Sequence, residues 1–200
     1  MTTLRAVRYL VWAAVVVLIA GVAWVIVIDR QGGAPAITAA SIGGPFSLTD
    51  QNGNTVTDKT LLGHPTAIFF GYTFCPDVCP TTLADLTLLM EELGPDADKL
   101  KVYFVTVDPE RDNQETLAAY LQAFDPRFSG LTGPRPAIDQ IVKEYRVFAR
   151  KVEADDGSYT MDHTATVYLL NRDGKFVSSL DYHEDPKTAL AKLKNLIGTS

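Results

Sequence analysis

Residues 66–80 read TAIFFGYTFCPDVCP, and the rest of the chain is built around this run. Thr66 to Tyr72 is a short uncharged stretch of the kind expected for a buried strand. The second half carries Cys75 and Cys79, the only two cysteines among 200 residues. Beyond them Leu83, Leu86, Leu89, Met90 and Leu93 recur at helical spacing until Gly94-Pro95 stops the pattern. The cysteines therefore fall where a strand passes into a helix, and strand C-terminal ends are where open α/β sheets place their sites. A thiol near a helix N-terminus meets unsatisfied N–H groups and the positive end of the dipole, which favour the thiolate. If Cys75–Cys79 forms a helical turn, the two sulfurs share one face with Cα atoms about 6 Å apart, within reach of a disulfide. The same spacing suits two thiolates on one metal ion. A structural disulfide, a redox couple and half of a metal site all stay open at this point.

The surrounding sequence supplies the other layers. Phe46–Leu48 and Thr55–Thr57 flank Asp50-Gln51-Asn52-Gly53-Asn54, a hairpin signal. Val102–Val107 is a second buried strand, rich in β-branched and aromatic residues. Helices are expected over Gln114–Leu121, Ala137–Tyr145 and Lys187–Ile197. Thr166–Leu170 and Phe176–Leu180 bracket Asn171-Arg172-Asp173-Gly174, a second hairpin with glycine at the turn. The order predicts an α/β fold with helices over a central sheet that has an antiparallel edge.

Ahead of this domain, Tyr9 to Ile28 holds twenty residues without a charge, enough to span a bilayer core of about 30 Å. The run is longer than a signal-peptide core and shows no small-residue cut site, so an uncleaved anchor is expected. Arg5 and Arg8 keep residues 1–8 cytoplasmic, and the eight-residue lead leaves no room for a mitochondrial targeting segment. The expected organisation is a transmembrane anchor over 9–28, a Gly/Ala-rich tether over 29–44 and a domain over 45–200 in a bacterial periplasm, bound to the inner membrane. Setting aside Arg5, Arg8, Arg30 and Asp29 from 18 basic and 24 acidic side chains leaves 15 and 23, a net charge of −8 for residues 31–200. An acidic domain without a Lys/Arg cluster argues against nucleic acid as a partner.

Of three histidines, His64 precedes Pro65 at the start of the cysteine-bearing strand, the wrong end for the thiols, and His183 reads as a solvated turn residue. His163 lies in Tyr159-Thr160-Met161-Asp162-His163-Thr164, read as a polar bend before a strand that should sit centrally in the sheet. Its ordinary role is to finish a loop. Two thiolates and one imidazole, if His163 reaches them, form a soft donor set that selects Cu(I), or Zn²⁺ with a fourth ligand. Asp108 closes the second strand at the same sheet end, as a turn cap or as a hydrogen-bond acceptor beside the ligands. Asp77 and Asp162 flank the ligands as candidates for the same supporting role. Glu110, Arg111 and Asp112 are expected to tie their own loop together, and Met161 to pack.

The stretch Phe70–Pro80 (FGYTFCPDVCP) closely resembles the signature of the Sco/SenC family of membrane-anchored copper chaperones. So do Val107–Asp112 (VDPERD), Gly130–Gly133 (GLTG) and Asp162-His163-Thr164 before a strand, in family order over roughly residues 43–197. The resemblance implies a thioredoxin-like fold with an additional N-terminal hairpin, and copper ligation by Cys75, Cys79 and His163. It implies copper as Cu(I), with Cu(II) as a second candidate state. It also implies a role in building the binuclear copper centre of cytochrome c oxidase subunit II, fed by an upstream periplasmic copper donor.

The rival reading is a thiol–disulfide oxidoreductase that reduces the cysteines of the oxidase copper site or of other extracytoplasmic partners. Redox enzymes of this fold ordinarily carry C-x-x-C and a cis-proline before the facing strand. Here the spacing is C-x-x-x-C and the corresponding run, Met161–Ala165, has no proline. A peroxiredoxin is disfavoured because Thr73 stands two residues before Cys75, not three, and position 69 is Phe. A bare structural staple would close too short a loop to add much stability.

Overall fold

A computed structural model describes Trp12, Val17, Leu18 and Gly21, which are helical, and then residues 42–198. The chain divides into two compact units, Met1–Ala40 and Ser41–Ser200. Among the described residues no helix is long and apolar enough to cross a membrane. Most of the anchor expected over 9–28 and most of the tether expected over 29–44 lie outside the described residues.

In the second unit β1 (Ser47–Asp50) and β2 (Thr55–Thr57) form the expected first hairpin. β3 (Thr66–Gly71) leads to α1 (Val78–Leu93), β4 (Lys101–Thr106) to α2 (Gln114–Leu121), and β5 (Phe128–Thr132) to α3 (Arg135–Glu144). β6 (Ala149–Glu153) and β7 (Tyr159–His163) make a second hairpin, β8 (Val167–Leu170) and β9 (Phe176–Leu180) a third, and α4 (Pro186–Gly198) follows. The main sheet runs β2-β1-β5-β4-β3-β8-β9, while β6 and β7 form a separate two-stranded sheet.

β3, β4 and β5 are parallel, with antiparallel neighbours on both sides of the trio. All six residues of β3 are buried, as a strand covered on both faces requires. Its side chains alternate: Phe69 packs on Phe104 at 5.9 Å, whereas Phe70 meets Tyr145 at 5.5 Å and Tyr168 at 5.7 Å. Each such buried aromatic contributes about 2–3 kcal/mol.

Three expectations change. β5 was not anticipated as a strand: the Gly130-Leu131-Thr132 segment enters the sheet between β1 and β4 because Leu131 is buried and Gly130 lets Leu117 and Leu121 of α2 lie against it. The strand after His163 is β8, the sixth of seven, while β4 takes the centre. The polar bend Tyr159–Thr164 is instead mostly β7, with exposed Thr160 and Asp162 alternating with buried Met161.

Parallel pairing delivers the loops after β3, β4 and β5 to one end of the sheet. β8 runs antiparallel to β3, with Val167 opposite Phe69, so the segment entering β8 arrives at that end too. Gly71, the last residue of β3, is where the sheet touches the first cysteine-bearing turn of α1. A Cβ there would stand 2.6 Å from Phe104 Cε2 and 2.7 Å from Cys79 Sγ. Gly71→Ala should therefore cost about 1–3 kcal/mol in urea unfolding. Cys79 is one of the two groups displaced, so the variant should also lose reactivity or metal affinity at that thiol beyond its stability loss.

Candidate metal centre

Only one of the two cysteines belongs to a helix. α1 begins at Val78, so Cys79 lies in its first turn while Cys75 precedes it, and the helical turn expected over Cys75–Cys79 is not formed. Pro76 explains the break: it offers no N–H, and it steers Cys75 before it away from the helical region. Pro80, in the first turn of α1, has no intrahelical bond to lose and suits the helix start. The chain instead turns at Tyr72–Cys75, where the Cys75 N–H donates to the Tyr72 carbonyl at 3.2 Å. That turn brings Cys75 back over the helix end. The Cys79 backbone N–H donates to Cys75 Sγ at 3.4 Å, so the sulfur satisfies one of the helix's orphan donors. Asp77, the residue in the capping position, makes no side-chain cap bond; its carboxylate is exposed and accepts from Thr81 at 3.4 Å.

His163 comes from 84 residues away. Its Nε2 lies 3.3 Å from Cys79 Sγ, and its ring meets Tyr72 edge-on at 5.8 Å and Phe69 at 6.2 Å. Nδ1 faces the Thr164 carbonyl at 3.0 Å. A carbonyl only accepts, so Nδ1 carries the hydrogen and the lone pair of the neutral ring sits on Nε2, toward the sulfurs. The donor atoms of Cys75, Cys79 and His163 all lie within 4.8 Å of one another, and among the described residues no other group of three such side chains converges. Cys79 is buried, while Cys75 and His163 are part-exposed and form the mouth.

Both thiols are free, and they share charge unequally. Cys75 falls to about 3, first because the Cys79 thiol hydrogen-bonds to it. Burial opposes this, while His163 and the backbone N–H groups of Asp77 and Cys79 assist. Cys79 is pushed up by the same pairing and by its own burial. The reduced site is therefore a thiolate at the mouth and a neutral thiol beneath it.

Asp112 is a part of the site that composition and spacing did not single out. Its buried carboxylate accepts from the Thr73 N–H at 3.0 Å, the Thr73 hydroxyl at 2.6 Å and the Thr106 hydroxyl at 2.7 Å. The only signal in the sequence was a threonine two residues before Cys75 and another ending the neighbouring strand. Asp108 is fully buried, and its carboxylate partners are Arg111 and Tyr159, not the cysteines. Asp162 points outward and pairs with Arg150 at 2.9 Å. His64 is exposed at the far end of β3; His183 is exposed in a left-handed conformation (φ 63°) beside Tyr182.

A family model described as SCO1/SenC matches residues 34–198. The human mitochondrial SCO1 homologue is 43% identical over 147 residues, covering 70% of this chain and 47% of that protein, so the chain spans about half of that relative's length. A SCO2-like protein of Rickettsia prowazekii is 37% identical over 156 residues, covering 77% and 76%. Among solved structures, Bradyrhizobium japonicum ScoI with copper bound superposes with a TM-score of 0.74 at 53% identity, covering 78% of this chain and 99% of that one. The fold is the thioredoxin-like α/β fold of these relatives.

Because the lowered Cys75 value leaves the thiolate present above about pH 3 and lost only below it, Cys75 should react with iodoacetamide at pH 5. An ordinary thiol is then ionised to only about one part in several thousand. Mass spectrometry of the reduced protein should find the label on Cys75 and none on Cys79.

Proposed function

The chain belongs to the SCO1/SenC family, and from that premise we propose that it is a copper metallochaperone supporting the assembly of cytochrome c oxidase. The observation that carries this reading is the convergence of Cys75 Sγ, Cys79 Sγ and His163 Nε2 within 4.8 Å. Donors sharing one ion through bonds of about 2.0–2.3 Å stand roughly 4 Å apart. Closing these three around an ion needs side-chain shifts of under about 1 Å, and two sulfurs with an imidazole are the soft set that favours Cu(I). The ligands are Cys75, Cys79 and His163; the cargo is Cu(I), with Cu(II) as a second state.

In this reading the recipient is subunit II of the oxidase, with its binuclear copper centre, and a periplasmic donor supplies the ion. Residues 9–28 anchor the chain in a bacterial inner membrane with the domain on the periplasmic side. The exposed mouth suits transfer: Cys75 and His163 are the accessible donors, so an incoming ligand meets the ion there while Cys79 still holds it from below.

Loading Cu(I) must displace the proton that Cys79 keeps, whereas Cys75 arrives already as a thiolate. The full-length protein, reduced and anaerobic, should bind one Cu(I) per chain in competition with a chromogenic chelator. Its affinity should rise about tenfold per pH unit between pH 7 and 9, the slope of one released proton. Cys75→Ser or Cys79→Ser should abolish tight binding. His163→Ala should weaken it more than about 100-fold, beyond the 10–100-fold usual for a partner outside the coordination shell; wild-type affinity in that variant would remove the three-ligand model.

The unequal thiols favour a second reading on the same atoms. The Cys75 thiolate can attack a partner disulfide, releasing one partner thiolate, which takes up the Cys79 proton. The Cys79 thiolate then attacks the mixed disulfide, leaving a Cys75–Cys79 disulfide and a reduced partner dithiol. This chemistry needs no imidazole ligand, so reductase activity should survive His163→Ala although copper affinity does not. Equal loss of both activities in that variant would tie the thiol chemistry to the metal site.

A further inference from the structure

The hairpin that carries His163 is not part of the main sheet. β6 and β7 pair only with each other, from Ala149 opposite His163 to Glu153 opposite Tyr159. No ladder therefore sets the distance from His163 to the cysteines. Beyond the contacts of His163 with the two cysteines, the hydrogen bonds and ion pairs joining these strands to the rest of the described domain run to Tyr72, Asp108, Glu110 and Arg111.

Arg111 is at the centre of that set. Its Nε donates to the Asp108 carboxylate, and its Nη1 donates to the Tyr159 backbone carbonyl at 3.0 Å. The guanidinium lies 3.7 Å from the centre of the Tyr159 ring, 4.7 Å from that of Phe74 and 5.6 Å from that of Tyr72. The Tyr159 hydroxyl closes the circuit by donating to Asp108 Oδ1 at 3.0 Å. Phe74 immediately precedes Cys75, and Tyr72 opens the cysteine loop and packs on the His163 ring. Tyr159 and His163 are the first and last residues of the same five-residue strand. One planar cation thus touches both sides of the metal centre without touching a ligand. Its Nη2 is buried with no acceptor, a desolvation cost that accompanies the flat stack.

We propose that Arg111 is a positioning residue for the metal centre, acting through Tyr159 to hold the His163 strand against the cysteine loop. The inference rests on the reading of His163 as a copper ligand. It gives Arg111 a long-range role: the contact that matters is 48 residues away, on a different sheet. Lysine keeps the charge opposite Asp108 but cannot span the carboxylate, the Tyr159 carbonyl and the ring faces at once.

The test is Cu(I) affinity of the full-length protein by chelator competition in a double-mutant cycle of Arg111→Lys with His163→Ala. Arg111→Lys should raise the Kd about tenfold in the wild-type background and less than about twofold in the His163→Ala background, because the residue acts only through the imidazole. An equal rise in both backgrounds, or none in the wild-type background while His163→Ala alone weakens binding, would overturn the positioning role. Unchanged affinity in His163→Ala alone would instead remove the ligand reading, and the positioning role with it. Tyr159→Leu, which removes the ring and leaves the Arg111–Asp108 pair, should show the same background dependence and carries the test if Arg111→Lys does not fold. Thermal unfolding of each variant reports folding separately from affinity.

Discussion

The site depends on one buried carboxylate. Asp112 follows β4, takes three hydrogen bonds from Thr73 and Thr106, and lends its backbone carbonyl to the Thr132 hydroxyl at 2.7 Å. Those three threonines belong to the loop after β3, the end of β4 and the end of β5. Parallel pairing brings the three strand ends together but does not determine how their loops leave the sheet; Asp112 does, by giving each a fixed polar partner. Burial pushes its carboxyl up, against the pull of the Thr73 and Thr106 donors. Unsatisfied, a polar group in this place would cost about 1–3 kcal/mol or more. Removing the donors is therefore as disruptive as removing the acid.

From that anchor the chemistry follows in short steps. Thr73 is held, so the turn at Tyr72–Cys75 is held, and Cys75 Sγ meets the start of α1 where N–H groups are unpaired. The Cys79 thiol and then the helix end stabilise the Cys75 thiolate, and the same pairing together with burial keeps the second proton on Cys79. The same asymmetry would serve both of the proposed reactions, metal loading and thiol exchange. Each would begin at Cys75 and would have to extract the proton from Cys79, and a disulfide between the two would occupy the atoms proposed to hold copper.

Much of this was legible in the chain. Hydrophobic runs with turn punctuation located β1 to β4, α1 to α4 and the β8–β9 hairpin, and the cysteine motif with its downstream histidine pointed to the three donors. What escaped had weak local signals. β5 is short and half glycine, serine and threonine, and becomes a strand because its neighbours supply both ladders. β6 and β7 are rich in charge and half exposed, so their alternation is faint; Tyr159-Thr160-Met161-Asp162-His163 shows it only once Met161 is seen to be buried. Asp77 and Asp162 were grouped with the ligands by nearness in sequence, and Asp108 because it closes a strand at the same sheet end. In space they diverge, to the helix start, to Arg111 with Tyr159, and to Arg150.

The sequence by itself determined the α/β class, the strand-to-helix position of the cysteines, and the residue types of the site. These are consequences of local periodicity and of side-chain chemistry, both of which act between near neighbours. Only the tertiary structure decided that Cys75 lies outside the helix it caps, that the two thiols differ in charge, and that Tyr159, on the strand that ends in His163, is held by a cation from another loop. The first two turn on the way a four-residue loop closes on itself, and the third, like the approach of His163 to Cys79, on distances of 3.0–3.3 Å between groups 48 to 84 residues apart; distances of that kind are set by packing rather than by any pattern along the chain.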